Sequence, residues 1–457
     1  SAAFFALGRI KLRGRPAAVV TTTGTAVAEL LPAAVEAHYS GLPLILITAD
    51  RPARYRGSGA PQAIEQPGIL GVYADTDPAT WNGTRPLHLN VEFDEPLIDD
   101  ELTVVATNPE RVGADGDDSA ATASQKPATH STSPDRFAFG GPDDKPLVLI
   151  GRLAARDRDR VRDFALRLNA PVYAEPLSGL REDRALEQLL LRNERMLARA
   201  GFSQVIRIGG VPTFRFWRDL DEKLRDLPLV NFSALPFTGL SRGKLWPIEA
   251  LPGDVPPCVR DESLFADDRS FATRFGQILD DEPQSELAML RAFAGSIEPG
   301  ARVYLGNSLP IREWDMVAPR EDRGLTIEAN RGANGIDGQL STFFGQCDPT
   351  RMNVAIVGDL TAVYDLNAPW IVPQLDPATR FRIVVLNNGG GRIFSRVASL
   401  QGLAPAVRQR MIENEHTLRF DDWARMWNIV EQVTELRSEL DASQRVWARY
   451  DEMWSDG

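Results

Sequence analysis

The run Val354-Ala355-Ile356-Val357-Gly358-Asp359-Leu360, followed after 26 residues by Asn387-Asn388-Gly389-Gly390-Gly391, decides how this chain is read. The apolar residues before Gly358 read as a buried strand, and Ile383-Val384-Val385-Leu386 read as another. The interval between them is long enough for a helical crossover joining parallel strands. Asp359 and the asparagine pair then stand at the carboxyl ends of neighbouring strands, where open α/β sheets bind ligands. A carboxylate and an amide oxygen suit a hard cation such as Mg²⁺, which is often shared with substrate phosphates. The glycines let backbone groups approach such a ligand closely. The plainer reading makes Asp, Asn and Gly the turn residues and caps of two strand–helix junctions. A lone Gly-Asp would favour that reading, and the paired motif disfavours it.

Outward from this stretch the chain repeats the α/β pattern. Near the front, a strand over 17–23 reads as buried, a helix follows over 26–37 with Pro32 inside or interrupting it, and a second strand covers 44–48. Arg51 lies at that strand's end, and Gln62 and Gln66 lie in the Gly/Pro-rich segment after it. Taken singly, Arg51 reads as a surface ion pair, Gln62 as a solvated loop residue and His88 as a satisfied strand residue. Residues 107–137 are rich in Ala, Ser, Thr, Asp, Gly and Pro and read as a flexible linker. A second unit starts near Lys145 with a strand ending at Gly151, which lacks the rest of a dinucleotide fingerprint and so reads as a Rossmann-like spacer. Arg215 follows a strand of that unit and could face a ligand. In the third unit Ser308, Arg312 and Arg331 fall at strand ends among glycines, a setting suited to gripping carboxylates. The alternative there is loop glycines with structural ion pairs. The reading is an α/β chain of three doubly wound parallel-sheet domains. Its boundaries are 1–106, a linker over 107–144, a central domain over 145–233, an irregular connector over 234–285 and a last domain over 286–457.

Composition sets outer bounds. At 457 residues the chain is too long for one core. A formal charge of −12 argues against non-specific nucleic-acid binding but leaves room for local basic pockets. The two cysteines, Cys258 and Cys347, have no partner at metal-ligand spacing and suggest a reducing cytoplasm. No apolar run reaches the roughly 18 residues of a membrane span.

Several further stretches join the opening one: Thr23-Gly24-Thr25-Ala26-Val27-Ala28, Thr48-Ala49-Asp50-Arg51-Pro52, Gly59-Ala60-Pro61-Gln62, Gly306-Asn307-Ser308 and Asn330-Arg331-Gly332-Ala333-Asn334-Gly335-Ile336-Asp337-Gly338. Together they resemble the thiamine diphosphate enzymes, and among these the carboligases of menaquinone biosynthesis. The likeness covers the first and third domains well and the middle one loosely. It departs from the usual metal motif at Leu360, where glycine is common. The resemblance implies pyrimidine-binding and diphosphate-binding domains at the two ends, with thiamine diphosphate and Mg²⁺ as cofactors. Asp359, Asn388 and the Gly390 carbonyl would be the metal ligands, with Gly358 and Leu360 beside them. Ile336 would brace the bent cofactor and Phe394 would help form its pocket. Arg51, Gln62, Ser308, Arg312 and Arg331 would bind substrate carboxylates and hydroxyls, and Arg215 falls where the family has a basic residue. The implied activity decarboxylates 2-oxoglutarate and adds the four-carbon unit to isochorismate, in a homodimer or homotetramer. Alternatives are another thiamine diphosphate decarboxylase or carboligase, such as one acting on pyruvate, or a non-catalytic cofactor-binding fragment. The family's cofactor-activating glutamate would precede Ser1, so a truncated chain of low activity is expected.

Overall fold

The computed structural model describes residues 1–95 and 140–454. The linker expected over 107–144 therefore lies almost wholly outside the described residues. Three parallel sheets organise the rest. The first holds β1 (Ala17–Thr21), β2 (Leu44–Asp50) and β3 (Leu87–Glu92) in that order. The second holds β4 (Pro146–Ile150), β5 (Val172–Ala174), β6 (Gln204–Ile208), β7 (Leu229–Phe232) and β8 (Leu245–Trp246), in the order β5-β4-β6-β7-β8. The third holds β9 (Arg302–Leu305), β10 (Thr326–Glu328), β11 (Met352–Gly358), β12 (Arg380–Asn387) and β13 (Val433–Arg437), in the order β10-β9-β11-β12-β13.

The apolar runs that announced these strands follow from burial on two faces. In the third sheet Val303, Leu305, Val354, Ile356, Val384 and Leu386 enter one core, while Tyr304, Ala355, Val357, Ile383 and Val385 enter the other. Successive side chains point to opposite faces, so a strand covered on both sides must be apolar throughout. The second sheet is built the same way. The first sheet gives Val19, Leu44 and Leu46 to a single core under the helices Ala2–Arg13 and Leu31–Ser40. The expected burial of all of β1 is thereby corrected, because Val20 points away from that core and is 74% exposed.

Two more expectations are corrected. The helix read over 26–37 is broken into Thr25–Ala28 and Leu31–Ser40, and Pro32 sits in the first turn of the second piece, where its missing N–H is not needed. The stretch 234–285, read as an irregular connector, carries β8, which adds to the central sheet, and the 20-residue helix Glu262–Asp281. Prolines upstream obscured the helix. Its Leu264 and Phe265 enter the central core, and its Phe275, Ile278 and Leu279 enter the third.

In both five-stranded sheets the strand order reverses beside the first strand, at β4/β6 and β9/β11, and crevices for ligands form at such points. In the central sheet the crevice is closed by backbone. A Cβ on Gly151 would lie 2.3 Å from the Gly210 carbonyl oxygen, and the Gly210 N–H donates to the Arg152 carbonyl at 2.9 Å. In the third sheet the crevice opens between Asn307-Ser308 and Asp359.

The first unit docks directly on the third. Helices Ala2–Arg13 and Gln339–Gln346 cross where Gly8 meets Gly345, and a Cβ on Gly8 would lie 2.1 Å from the Thr342 carbonyl oxygen. Two charged groups extend this contact toward the site. Lys11 Nζ donates to the Ala329 carbonyl (2.6 Å) and to Asn330 Oδ1 (2.7 Å), and the buried Glu36 carboxylate accepts from the Gly332 N–H (2.9 Å) and the Ala333 N–H (2.8 Å).

Candidate functional site

At the end of β11, Asp359 begins the short helix Asp359–Tyr364 and is 3% exposed. Its Oδ1 accepts from the Leu360 N–H at 2.6 Å, and its Oδ2 accepts from the Gly389 and Gly390 N–H groups, both at 2.9 Å. These bonds tie the β11 turn to the β12 turn, as the spacing of the two motifs required. Burial raises the Asp359 carboxyl above its ordinary pKa, against the pull of those N–H groups and of His416, whose Nε2 lies 3.3 Å from Oδ2. Gly390 has φ +137°, and a Cβ there would lie 2.6 Å from the Glu413 carbonyl oxygen, so glycine is required.

Asn388 carries the decisive detail. Its Nδ2 donates to both oxygens of Glu286, at 3.1 and 2.8 Å, while its Oδ1 is buried without a partner. A buried amide oxygen left unpaired is costly unless something absent here completes it. The residues therefore fit a hard cation held by a carboxylate, an amide oxygen and a backbone carbonyl. Among the described residues no cluster of three or more His, Cys, Asp or Glu side chains could hold a metal.

A second arrangement lies in a cavity of about 2130 Å³ lined by all three units, including Arg215, Arg312, Arg331 and Glu175. Arg331 Nη1 donates to Asn307 Oδ1 at 2.7 Å, and its Nη2 is buried with no partner. Burial brings its pKa down to about 10. Arg312 donates to two carbonyls, Ser308 at 2.6 Å and Thr213 at 3.4 Å, and burial also lowers its pKa. Arg331 is half-buried and Arg312 is exposed on the open cavity, and guanidinium groups served by amide and carbonyl oxygens rather than carboxylates are suited to receive an anion. Facing them, Glu175 accepts from the Thr213 N–H and hydroxyl, at 3.0 and 3.2 Å. Burial pushes its carboxyl up to about 7, against the attraction of Arg331.

The structure brings only part of the expected site together. Asp359, Asn388 and Gly390 form one cluster with Gly358 and Leu360, and Arg312 and Arg331 share one cavity. Arg51 and Gln62 stay at the exposed end of the first sheet and do not line that cavity. Gln62, at φ +59°, and Ser308, at φ +71°, are both left-handed, a conformation that stores strain in residues other than glycine. Arg215 does line the cavity, but its guanidinium is taken by Asp219 and Glu222 of its own helix, each at 2.7 Å. Ile336 is half-buried, and Phe394 is 41% exposed. Asn330, central to the most specific string, is a buried bracket whose Nδ2 donates to Thr342 Oγ1 at 2.9 Å. Sequence reasoning missed Asn307, which holds Arg331 and donates to the carbonyls of Asn330 and Gly335. It also missed Glu175, Glu286, Lys11 and Glu36. Of these, only Glu175 carried a signal, its place directly after a strand.

Residues 1–69 match the family model of the thiamine pyrophosphate enzyme N-terminal TPP binding domain. The chain is 40% identical to 2-succinyl-5-enolpyruvyl-6-hydroxy-3-cyclohexene-1-carboxylate (SEPHCHC) synthase of Bdellovibrio bacteriovorus, covering 100% of this chain and 90% of that protein. It is 39% identical to the synthase of the same name from Akkermansia muciniphila, over 94% of this chain and 81% of the relative. With that from Bacillus velezensis it shares 31% identity, over 86% and 75%.

Proposed function

The chain belongs to the SEPHCHC synthase family of thiamine diphosphate enzymes, and from that premise we propose that it joins 2-oxoglutarate, after decarboxylation, to isochorismate in menaquinone biosynthesis. The observation that carries the choice of substrates is the pair Arg312 and Arg331, which line one cavity without carboxylate partners of their own. Both substrates are dianions, and two such groups exceed what pyruvate would need.

Asp359, Asn388 and the Gly390 carbonyl would hold Mg²⁺, which would anchor the diphosphate of the cofactor. The unpaired Asn388 oxygen supports this assignment. When bound, thiamine diphosphate supplies the carbon nucleophile and the electron sink for decarboxylation. The protein supplies position and charge. Arg331, held by Asn307, presents its free Nη2 to a carboxylate, and Arg312 presents its guanidinium from the next turn. Glu175, with a carboxyl titrating near neutrality beside them, is able to hold a proton at the cavity wall. Gly358, Leu360, Ile336 and Phe394 would shape the cofactor's bed, and Arg51, Gln62 and Ser308 would complete the substrate contacts.

The terminal units would serve as pyrimidine-binding (1–106) and diphosphate-binding (286–457) domains, with 145–233 as the central domain. Exposure of Val20, Val72, Phe93 and Trp370 supports a homodimer or homotetramer, in which Arg51 and Gln62 of one copy would complete the site of another. Among the described residues no helix is long and apolar enough to cross a membrane, and the two free cysteines would suit a cytoplasmic enzyme. The test is product analysis with thiamine diphosphate and Mg²⁺. Carbon dioxide release from 2-oxoglutarate and a carboligated product with isochorismate are expected. Turnover of pyruvate with none of 2-oxoglutarate would overturn the reading.

A further inference from the structure

Asn388 is an amide with two faces, and only its oxygen can serve a cation. Which end faces the site is set by what the other end meets. That partner is Glu286, the first residue of the helix Glu286–Ser296, 102 positions earlier in the chain. We propose that Glu286 is a positioning residue of the metal site: its carboxylate grips Asn388 Nδ2 from behind and so turns Oδ1 toward the cation.

Three observations carry this. Both Glu286 oxygens accept from the same nitrogen, at 3.1 and 2.8 Å, so a turned amide would set its oxygen against a carboxylate. The opposite end of the amide, Oδ1, is buried and unpaired. Glu286 itself is fixed. It is 7% exposed, its N–H donates to Ser443 Oγ at 3.0 Å, Ser285 Oγ caps its helix through the Ala288 N–H at 3.3 Å, and its side chain is hydrogen-bonded to Glu313, itself 1% exposed. Two buried acids side by side would be a poor choice for packing alone, since apolar groups would fill the space at lower cost. They are explained if one of them must accept from Asn388. Groups behind a metal ligand commonly alter affinity by about 10- to 100-fold.

This inference rests on the assignment of Asp359 and Asn388 as metal ligands, and the test separates the two. Mg²⁺ is titrated calorimetrically into the protein saturated with thiamine diphosphate, with folding checked by circular dichroism. Asp359→Ala should abolish the Mg²⁺ response; if it binds as the parent does, the metal assignment and the inference fall together. With that control satisfied, Glu286→Leu should weaken Mg²⁺ about 10- to 100-fold. Glu286→Gln, whose Oε1 still accepts from Asn388, should stay within about threefold. A Glu286→Leu protein that is folded and binds Mg²⁺ like the parent overturns the inference. If Glu286→Leu does not fold, Asn388→Asp decides. In Asn388→Asp the second oxygen faces the Glu286 carboxylate and should weaken Mg²⁺ binding relative to the parent, a loss relieved in the Asn388→Asp, Glu286→Gln double variant. Mg²⁺ binding by Asn388→Asp alone that equals the parent's would refute the role of Glu286.

Discussion

Replacing Gly8 by alanine tests the contact that seats the first unit on the third. The new Cβ would stand 2.1 Å from the Thr342 carbonyl oxygen, 2.7 Å from the Gln346 nitrogen and 2.7 Å from the Gly345 Cα, all backbone atoms that cannot swing aside. The helices must therefore part by roughly 1 Å, a gap that forfeits a quarter to a half of each van der Waals contact across it. Overpacking of this kind costs up to about 3 kcal/mol. Alanine returns about 1 kcal/mol through its better helix propensity. The net expectation is a loss of about 2 kcal/mol. Gly295, an exposed residue late in the helix Glu286–Ser296, is the control, because a Cβ there meets nothing within 4 Å. Gly295→Ala should gain about 0.5–1 kcal/mol. Urea unfolding followed by circular dichroism, read at the first transition, measures both. Gly8→Ala and Gly345→Ala together should cost less than their sum, since one separation of the helices relieves both clashes. Should Gly8→Ala match or exceed the parent in stability, as Gly295→Ala is expected to, the crossing is not the tight contact described here.

Other expectations follow from the cavity and the helix ends. Burial raises the Glu175 carboxyl from 4.5 to about 7, so the folded chain keeps this proton after the unfolded chain has lost it. The resulting stability is full below about pH 4.5 and is lost as pH rises through about 7; Glu175→Gln should flatten that fall and be more stable than the parent at pH 8, by about 2 kcal/mol after allowance for residual exposure, in denaturant titrations at several pH values. Arg331→Met should leave the melting temperature unchanged or raised, because it removes a desolvated charge, yet raise KM for the dianionic substrate it serves at least tenfold. Asp261 caps the helix Glu262–Asp281 by accepting from the Ser263 and Leu264 N–H groups, and Asp261→Ala should cost about 1 kcal/mol in the same unfolding assay.

The strands and the meeting of Asp359 with the turn at 387–391 were legible because both depend on local pattern. Burial of a sheet on two faces writes a continuous apolar run, as at 354–357 and 383–386, and a cation needs an oxygen donor at each of two adjacent strand ends. Arg312 and Arg331 were legible as arginines at strand ends. Glu286, Glu36 and Lys11 were not, because a charged residue on a helix reads as solvated unless its partner is known, and each partner lies far along the chain: Asn388, Gly332 and Asn330. The helix Glu262–Asp281 was missed for another reason. Its Leu264, Phe265, Phe271, Phe275, Ile278 and Leu279 recur at helical spacing, but the prolines upstream made the whole stretch read as irregular.

The grip of Lys11 and Glu36 on residues 329–333 bears on how this protein can vary. The two partners of each contact lie on opposite sides of the central unit, so exchange of sequence between relatives at any point from 37 to 328 separates them. A hybrid made there inherits one parent's Lys11 and Glu36 with the other's 329–333, and the loop that carries Arg331 is then gripped from the first unit only if the two parents match. Gly8 and Gly345 impose the same condition. The first unit and the 329–333 loop are thus bound to vary together, although 292 residues of chain, 37 to 328, separate positions 36 and 329.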